Sequence, residues 1–140
     1  MLRYSIIINL VFICNFSVAE NIYESKHRID TWKEKSLNNA STTEKILSVN
    51  IEAYKKWDKA LNLVYRSLIK KIPEKDKKLL RESQRNWILY RDSEFKFMPA
   101  HILRAGGSLS RVIYYERKEA FIRNRVIELE AYEFIFDSPP

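Results

Sequence analysis

The chain has 140 residues, of which 46% are apolar and 31% are charged, so it is long and apolar enough for one domain with a core. Its 25 lysine and arginine residues outnumber its 18 acidic residues, but the two signs are interspersed, which favours solvated helix surfaces over a nucleic-acid interface. The only cysteine, Cys14, excludes a disulfide within the chain.

Residues 1–19 are typical of a secretory signal peptide. A positive charge precedes an apolar run over residues 6–16, and residues 17–19 form a small-x-small cleavage pattern. The run is too short and too interrupted for a permanent membrane span. We therefore expect a periplasmic or secreted protein, cut after Ala19, with a net charge of +6. A lipoprotein acylated at Cys14 is the alternative, disfavoured because a large residue precedes that cysteine.

Residues 20–40 are polar and lack sustained periodicity, so they are predicted to form a mobile or weakly ordered N-terminal arm. Trp32 lies in this arm and is the tryptophan that we expect to be exposed for contact with a partner. Trp57 and Trp87 lie on apolar stripes further along the chain, so both are expected in the core.

The first long helix is predicted over residues 41–71. Ser41 and Glu44 have the spacing of a capping box, and apolar residues follow at helical spacing without a glycine or proline. Such a helix is about 45 Å long, so it needs partners along its whole length.

Two further long helices follow. Helix two is predicted over residues 74–97 and is expected to stop at Pro99. Helix three begins at Ser108 or Ser110 and continues to about Tyr132. With no strand-like alternation, the fold class is all-α. The expected architecture is a three-helix antiparallel bundle over residues 41–136, preceded by the signal peptide and the arm and followed by the tail 137–140.

Asp58 is an acidic residue that is predicted to face the core, so it needs a partner for its charge. Asp58 lies on the buried stripe of helix one, and a lone buried charge costs several kcal/mol. An antiparallel turn near residue 73 places it opposite Arg91 of helix two. We predict a buried bidentate pair between Asp58 and Arg91 that fixes the helix register. The rest of this structural polar network is expected to comprise Tyr54, Asn62, Gln84 and Glu94.

The connection between helices two and three, residues 99–108, contains both glycines of the protein. It is the loop with the most suitable charge and flexibility for binding. Its candidate binding residues are His101, Arg104, Gly106, Gly107 and Ser108. The structural alternative is that the glycine pair only permits a sharp turn.

Two motifs in this order resemble a known family. They are Y-x3-D-x2-LN-x2-Y, at Tyr54, Asp58, Leu61, Asn62 and Tyr65, and Q-x2-W-x3-RD-x-E, at Gln84, Trp87, Arg91, Asp92 and Glu94. Together with Gly106-Gly107-Ser108, Arg125 and Leu129, they resemble the LprI-like lysozyme inhibitors over residues 41–130. The resemblance implies a small exported helical domain, some members of which inhibit lysozyme by binding it. It also implies paired cysteines, and the matching positions here are Val49, Phe95 and Arg117.

Two functions remain open after this comparison of motifs. An inhibitor would direct Arg104 or Ser108 of the loop at the two catalytic carboxylates of lysozyme. The alternative is a non-inhibitory envelope interaction or immunity-type module that binds another protein or an anionic cell-wall polymer, which the net positive charge would suit. His27 and His101 are isolated, and metal-ligand spacing and phosphate-binding loops are missing from the sequence. We therefore expect no enzymatic activity, no catalytic residue, no metal, no cofactor and no nucleic-acid partner.

Overall fold

The computed structural model describes residues 26–138, and all of the regular structure in that range is helical. The helices are α1 (Arg28–Asn38), α2 (Thr43–Lys71), α3 (Glu74–Ile102) and α4 (Gly107–Asp137), with a short 3₁₀ turn at Leu103–Ala105. The prediction of an all-α bundle with long helices is confirmed. The predicted signal peptide lies outside the described residues. Within residues 26–138, none of the helices combines the length and the apolarity that a membrane crossing requires.

α2 begins at a cap one residue later than the sequence suggested. The Thr42 hydroxyl oxygen accepts a hydrogen bond from the Lys45 backbone N–H at 3.3 Å, so the predicted capping box of Ser41 and Glu44 is wrong. The helix then continues for 29 residues. It ends where Ile72 turns extended before Pro73, because a residue preceding proline disfavours the helical conformation.

The centre of the bundle is the pair α2 and α4. The Ser67 hydroxyl donates to Glu133, and Lys71 Nζ lies 2.8 Å from Glu133 and 2.6 Å from Asp137. These contacts advance in the same direction along both helices, so α2 and α4 run parallel, as the first and third members of an up-down-up bundle do. Most of the buried core lies between them, at Trp57, Leu61, Val64, Leu68, Ile122, Val126 and Leu129.

α1 forms from residues that were predicted to be a mobile or weakly ordered arm, so that prediction is wrong for residues 28–38. The His27 imidazole Nδ1 caps the helix by accepting from the Ile29 backbone N–H, and the Ile29 side chain is buried in the core. Trp32 is half-buried, with the Lys56 ammonium 4.5 Å from its ring centroid. The expectation of an exposed Trp32 is therefore also wrong.

α1 and α3 pack on opposite sides of α4. α1 contacts it through ion pairs at Glu119 and Arg123, whereas α3 contacts it at Phe121 and Arg125. Residues two positions apart on a helix point in nearly opposite directions, so the two sets lie on different faces of α4. The molecule is therefore a parallel α2–α4 pair with one helix on each side.

α3 is the most exposed of the long helices. Gln84 is its one buried residue, although Trp87 packs partly buried against the core, as predicted. The helix continues through Pro99 to Ile102, so the predicted stop at Pro99 is wrong. A proline in a helix leaves the carbonyl four residues earlier without its usual donor, here that of Phe95, and α3 tolerates this loss near its end.

Candidate functional site

The predicted binding loop is a helical corner. His101 lies in the last turn of α3, Arg104 lies in the 3₁₀ turn, and α4 starts at Gly107. The prediction of a flexible loop over residues 99–108 is therefore wrong. We refer to residues 97–113 as the α3–α4 corner.

The glycine pair makes the sharp turn of this corner. Gly106 and Gly107 have φ angles of 70° and 79°, and Gly106 has a ψ of −178°. Only glycine adopts this combination at Gly106 readily, because a Cβ would clash with the backbone. The Ser110 hydroxyl donates to the Gly106 carbonyl at 2.6 Å and closes the turn.

The candidate binding residues all lie at this corner. All five are exposed, namely His101, Arg104, Gly106, Gly107 and Ser108. Arg104 forms no hydrogen bond or ion pair with any residue of the described range. The His101 ring stacks on that of Phe97, with centroids 6.1 Å apart and planes 12° apart.

Apolar and charged side chains surround these residues. Phe97 is 64% exposed and Leu109 is 65% exposed. Beside them lies a cavity of about 300 Å³ between α3 and α4, lined by Glu94, Phe97, Met98, His101, Ile102, Ile113 and Arg117. The corner thus offers guanidinium groups for anions and large apolar groups for contact area. Glu94, which was predicted to belong to the polar network of Asp58, lines this cavity instead.

The predicted pair between Asp58 and Arg91 is not formed. Arg91 Nε and Nη2 donate to the carboxylate of the next residue, Asp92, at 2.9 and 2.7 Å. The Asn62 amide, expected to bind the Asp58 carboxylate, donates instead to the Asp58 backbone carbonyl at 2.9 Å. Asp58 is half-buried, and its carboxylate has no hydrogen bond within residues 26–138. The prediction failed because α2 packs mainly on α4 instead of on α3, and Asp58 and Arg91 lie on the two walls of a groove.

Most of the predicted network nevertheless meets in one groove between α2 and α3. This α2–α3 groove has a volume of about 350 Å³ and is lined by Asp58, Leu61, Asn62, Tyr65, Arg81, Gln84, Arg85, Ile88, Leu89 and Arg91. Six of these residues belong to the two motifs, namely Asp58, Leu61, Asn62, Tyr65, Gln84 and Arg91. The motif residues therefore line a surface groove instead of a buried clamp.

Tyr54 lies at the edge of this region, in a cluster of rings that the sequence reasoning missed. The Lys118 ammonium lies 4.6 Å from the Tyr54 ring, 4.7 Å from Phe95, 5.3 Å from Tyr114 and 5.7 Å from Tyr115. Burial raises the pKa of Tyr54 and lowers that of Lys118. The sequence does contain a pattern that predicts part of this cluster. Tyr114 and Tyr115 precede Lys118 by four and three positions, and residues at these spacings are neighbours on a helix.

The polar contact that joins α3 to α4 involves Arg125. Its Nε donates to the buried Gln84 amide oxygen at 3.0 Å, and its Nη1 donates to Glu128 at 2.7 Å. Its Nη2 donates to the Ser83 hydroxyl at 3.2 Å. Gln84 thus has a buried partner, as expected of it, but on α4 and not on α2.

The two histidines lie in separate contacts. His27 stacks on Trp57 with centroids 4.4 Å apart and lies 3.5 Å from Glu130, whereas His101 is in the corner. Among residues 26–138, no three histidine, cysteine, aspartate or glutamate side chains gather in a metal-binding arrangement.

Comparison with curated proteins found no match, and comparison with solved structures found none. The family model described as lysozyme inhibitor LprI matches residues 34–129, which include all of α2 and α3 and most of α4. The match therefore covers both motifs, the α2–α3 groove and the α3–α4 corner. The chain belongs to the lysozyme inhibitor LprI family.

Proposed function

We propose that this protein is exported and inhibits lysozyme by binding it, with the α3–α4 corner as the part that enters the enzyme's cleft. The match of residues 34–129 to the lysozyme inhibitor LprI family carries this proposal. The protein acts by binding and carries out no catalysis of its own.

The chemistry of the corner suits such a target. A lysozyme cleaves a glycosidic bond between two carboxyl groups in a cleft. Arg104 is exposed and has no partner among the described residues, and a guanidinium binds a carboxylate through two parallel hydrogen bonds. Phe97 and Leu109 add apolar contact area beside it. Helical backbone on both sides of the turn limits the conformational entropy lost on binding.

The net charge implies that long-range attraction contributes little. After cleavage at Ala19 the chain would carry a formal charge of +6, so its approach to a cationic lysozyme is not electrostatically steered. Affinity must then come from short-range contacts at the corner, which makes single side chains there important.

A lysis assay tests the inhibitor function. Purified protein should slow the loss of turbidity when lysozyme digests a cell-wall suspension. Arg104→Ala should weaken inhibition at least about tenfold, because it removes the central charged contact. Arg66→Ala is the matched control, since Arg66 is also exposed but lies on α2 near the opposite end of the bundle.

The same assay separates the alternatives. If Arg104→Ala inhibits as well as the unchanged protein, the binding surface lies outside the corner. If the unchanged protein does not slow lysis at micromolar excess, against lysozymes of several classes, it is not an inhibitor. A non-inhibitory role in binding another envelope component would then be favoured.

Export is tested on the protein itself. The pattern of charge, apolar run and small residues supports cleavage after Ala19. N-terminal sequencing and intact mass of the exported protein should therefore give Glu20 as the first residue. A lipid-modified chain that begins at Cys14 would contradict this.

A further inference from the structure

The α2–α3 groove is a second concave surface, separate from the corner. Its lining shares no residue with the cavity at the corner. On α2, the groove residues Asp58 and Tyr65 lie on the face opposite to Lys56 and Leu63, which line the contact region with α1. A ligand in the groove would therefore leave both α1 and the corner uncovered.

Positive charge in the groove exceeds what the protein itself neutralises. Arg81, Arg85 and Arg91 line it, against a single acid, Asp58. Arg81 and Arg85 form no hydrogen bond or ion pair with any described residue, although Arg81 is close enough to the exposed Glu74 carboxylate to lower its pKa. Arg91 is held by Asp92. The lining therefore has an excess of positive charge beside apolar walls, which strengthen its field, so this groove attracts anions.

The groove is also apolar. Leu61 and Tyr65 form its α2 wall, and Ile88 and Leu89 form its α3 wall. Ile88 is 36% exposed and Leu89 is 58% exposed, although large aliphatic side chains usually favour burial. A ligand with only charged groups would leave these side chains in water. A ligand that combines acidic and apolar groups would cover both kinds of surface.

We propose that the α2–α3 groove binds a short segment of a partner protein in which acidic and apolar residues are mixed. Arg81 and Arg91 are ten positions apart on one helix, which corresponds to about 15 Å. An extended peptide covers that distance with about five residues. Carboxylates of the segment pair with Arg81 and Arg85, and its apolar side chains lie on Ile88 and Leu89. This binding is independent of lysozyme inhibition at the corner.

An anionic polymer is the competing ligand, and the apolar walls argue against it. A polyphosphate would pair with the arginines but offers nothing to Ile88 and Leu89. The test therefore compares peptides with a polymer of the same charge.

Fluorescence anisotropy with labelled peptides of about ten residues provides the test. A peptide that mixes glutamate and leucine should bind the full protein, and more weakly as salt increases, because charged contacts are screened. A glutamate-only peptide and polyphosphate should bind at least about tenfold more weakly, because they lack the apolar contacts.

Charge-reversal variants locate the site. Arg81→Glu with Arg85→Glu should weaken binding of the mixed peptide at least about tenfold. Lys35→Glu with Lys45→Glu is the matched control, since it changes the net charge equally at exposed positions away from the groove and should have less than about a threefold effect. Circular dichroism confirms that both variants fold.

Leu89→Ser distinguishes the contribution of the apolar wall from that of the arginines. It should weaken binding of the mixed peptide and leave the weak binding of polyphosphate unchanged. The proposal is overturned if the mixed peptide does not bind, if both charge-reversal variants lose binding equally, or if polyphosphate binds as tightly as the mixed peptide. None of these outcomes depends on whether lysozyme is inhibited.

Discussion

Arg125 is the residue that joins α4 to α3. Its guanidinium is 5% exposed, and each of its three nitrogens donates to a side chain, two of them on α3. The group also lies 5.9 Å from the Trp87 ring centroid. A buried charge that donates three hydrogen bonds, two of them to α3, fixes the position of the helix that supplies those acceptors.

Arg125→Ala should lower the free energy of unfolding by about 2–3 kcal/mol, because it leaves the buried Gln84 amide without its donor and removes packing on Trp87. Urea denaturation followed by circular dichroism measures the change. Arg66→Ala, at an exposed position, should change it by less than about 0.5 kcal/mol. An Arg125→Ala protein as stable as the Arg66→Ala control would show that this contact does not hold α3.

Asp58→Ala should lower the free energy of unfolding less than Arg125→Ala does. The sequence suggested a buried ion pair, whose disruption would cost several kcal/mol. The half-buried carboxylate makes no hydrogen bond within residues 26–138, so we expect a loss below about 1 kcal/mol in the same denaturation experiment. A loss of 3 kcal/mol or more, the magnitude expected on breaking a buried pair, would show that Asp58 is paired after all.

Glu119 is a buried acid of α4 that pairs with Lys33 of α1. Burial raises its pKa, whereas the Lys33 ammonium and the Trp57 indole lower it and the nearby Asp30 raises it. The net result is a pKa above the ordinary value for glutamate, so the protonated form is favoured in the folded state. The contribution of this group to stability is therefore present below the unfolded pKa and is lost as pH rises through the folded pKa.

Glu119→Gln tests this sign. At low pH the variant and the unchanged protein should have similar stability, and the variant should become the more stable of the two as pH rises above the raised pKa. Lys33→Ala removes a charge that lowers the pKa of Glu119, so in that background the effect of Glu119→Gln should grow. Chemical denaturation across pH 4 to about 8 measures both. A difference that stays constant, or that reverses in sign, contradicts the assignment.

At the scale of whole elements, α1 is held largely by charges. Ile29 is its one buried residue, and Arg123 of α4 donates three hydrogen bonds to the Asp30 carboxylate at 2.8–3.0 Å. A helix with so little apolar burial is expected to open locally before the rest of the molecule.

Asp30→Asn should therefore speed hydrogen exchange of the α1 amides at least about tenfold, while the α2 amides around Trp57 exchange as before. Glu34→Gln is the control, because within residues 26–138 Glu34 pairs only with the exposed Lys26, so its loss should alter exchange little. Faster exchange in all helices would mean that α1 and the core unfold as one unit.

The existence of the long helices could be predicted, but their pairing could not. Apolar spacing and the turn at Pro73 gave α2 and α3 close to their true bounds. The choice of partner depends on which of several faces is buried, and α2 buries Trp57 and Leu61 mainly against α4. α1 was missed because its composition is polar, and its charges only find partners in the folded molecule.

At the scale of the whole molecule, the sequence likewise predicted one part of the candidate site and not another. The glycine pair identified the turn, since positive φ angles require glycine, and the exposed Arg104 was expected. The α2–α3 groove was not foreseen, because Asp58 and Arg91 were predicted to be in contact and not on the two walls of a groove. The distance between two neighbouring helices does not follow from the periodicity of either one.

Packing at the centre of the molecule occupies positions where the resemblance implies cysteines. The Phe95 ring lies 6.3 Å from Tyr54 and 5.8 Å from Phe121, so it links α3 to both α2 and α4. Arg117, in contrast, lines the exposed cavity at the corner. Apolar contact therefore joins the three long helices at Phe95 without a covalent bond.

Hydrogen exchange of the protein, free and saturated with lysozyme, tests most directly whether the α3–α4 corner is the inhibitory surface. Slower exchange of the amides of residues 101–110, with α1 and the α2–α3 groove unchanged, is the predicted result. No change anywhere at saturation, or slowing confined to the α2–α3 groove, would contradict it.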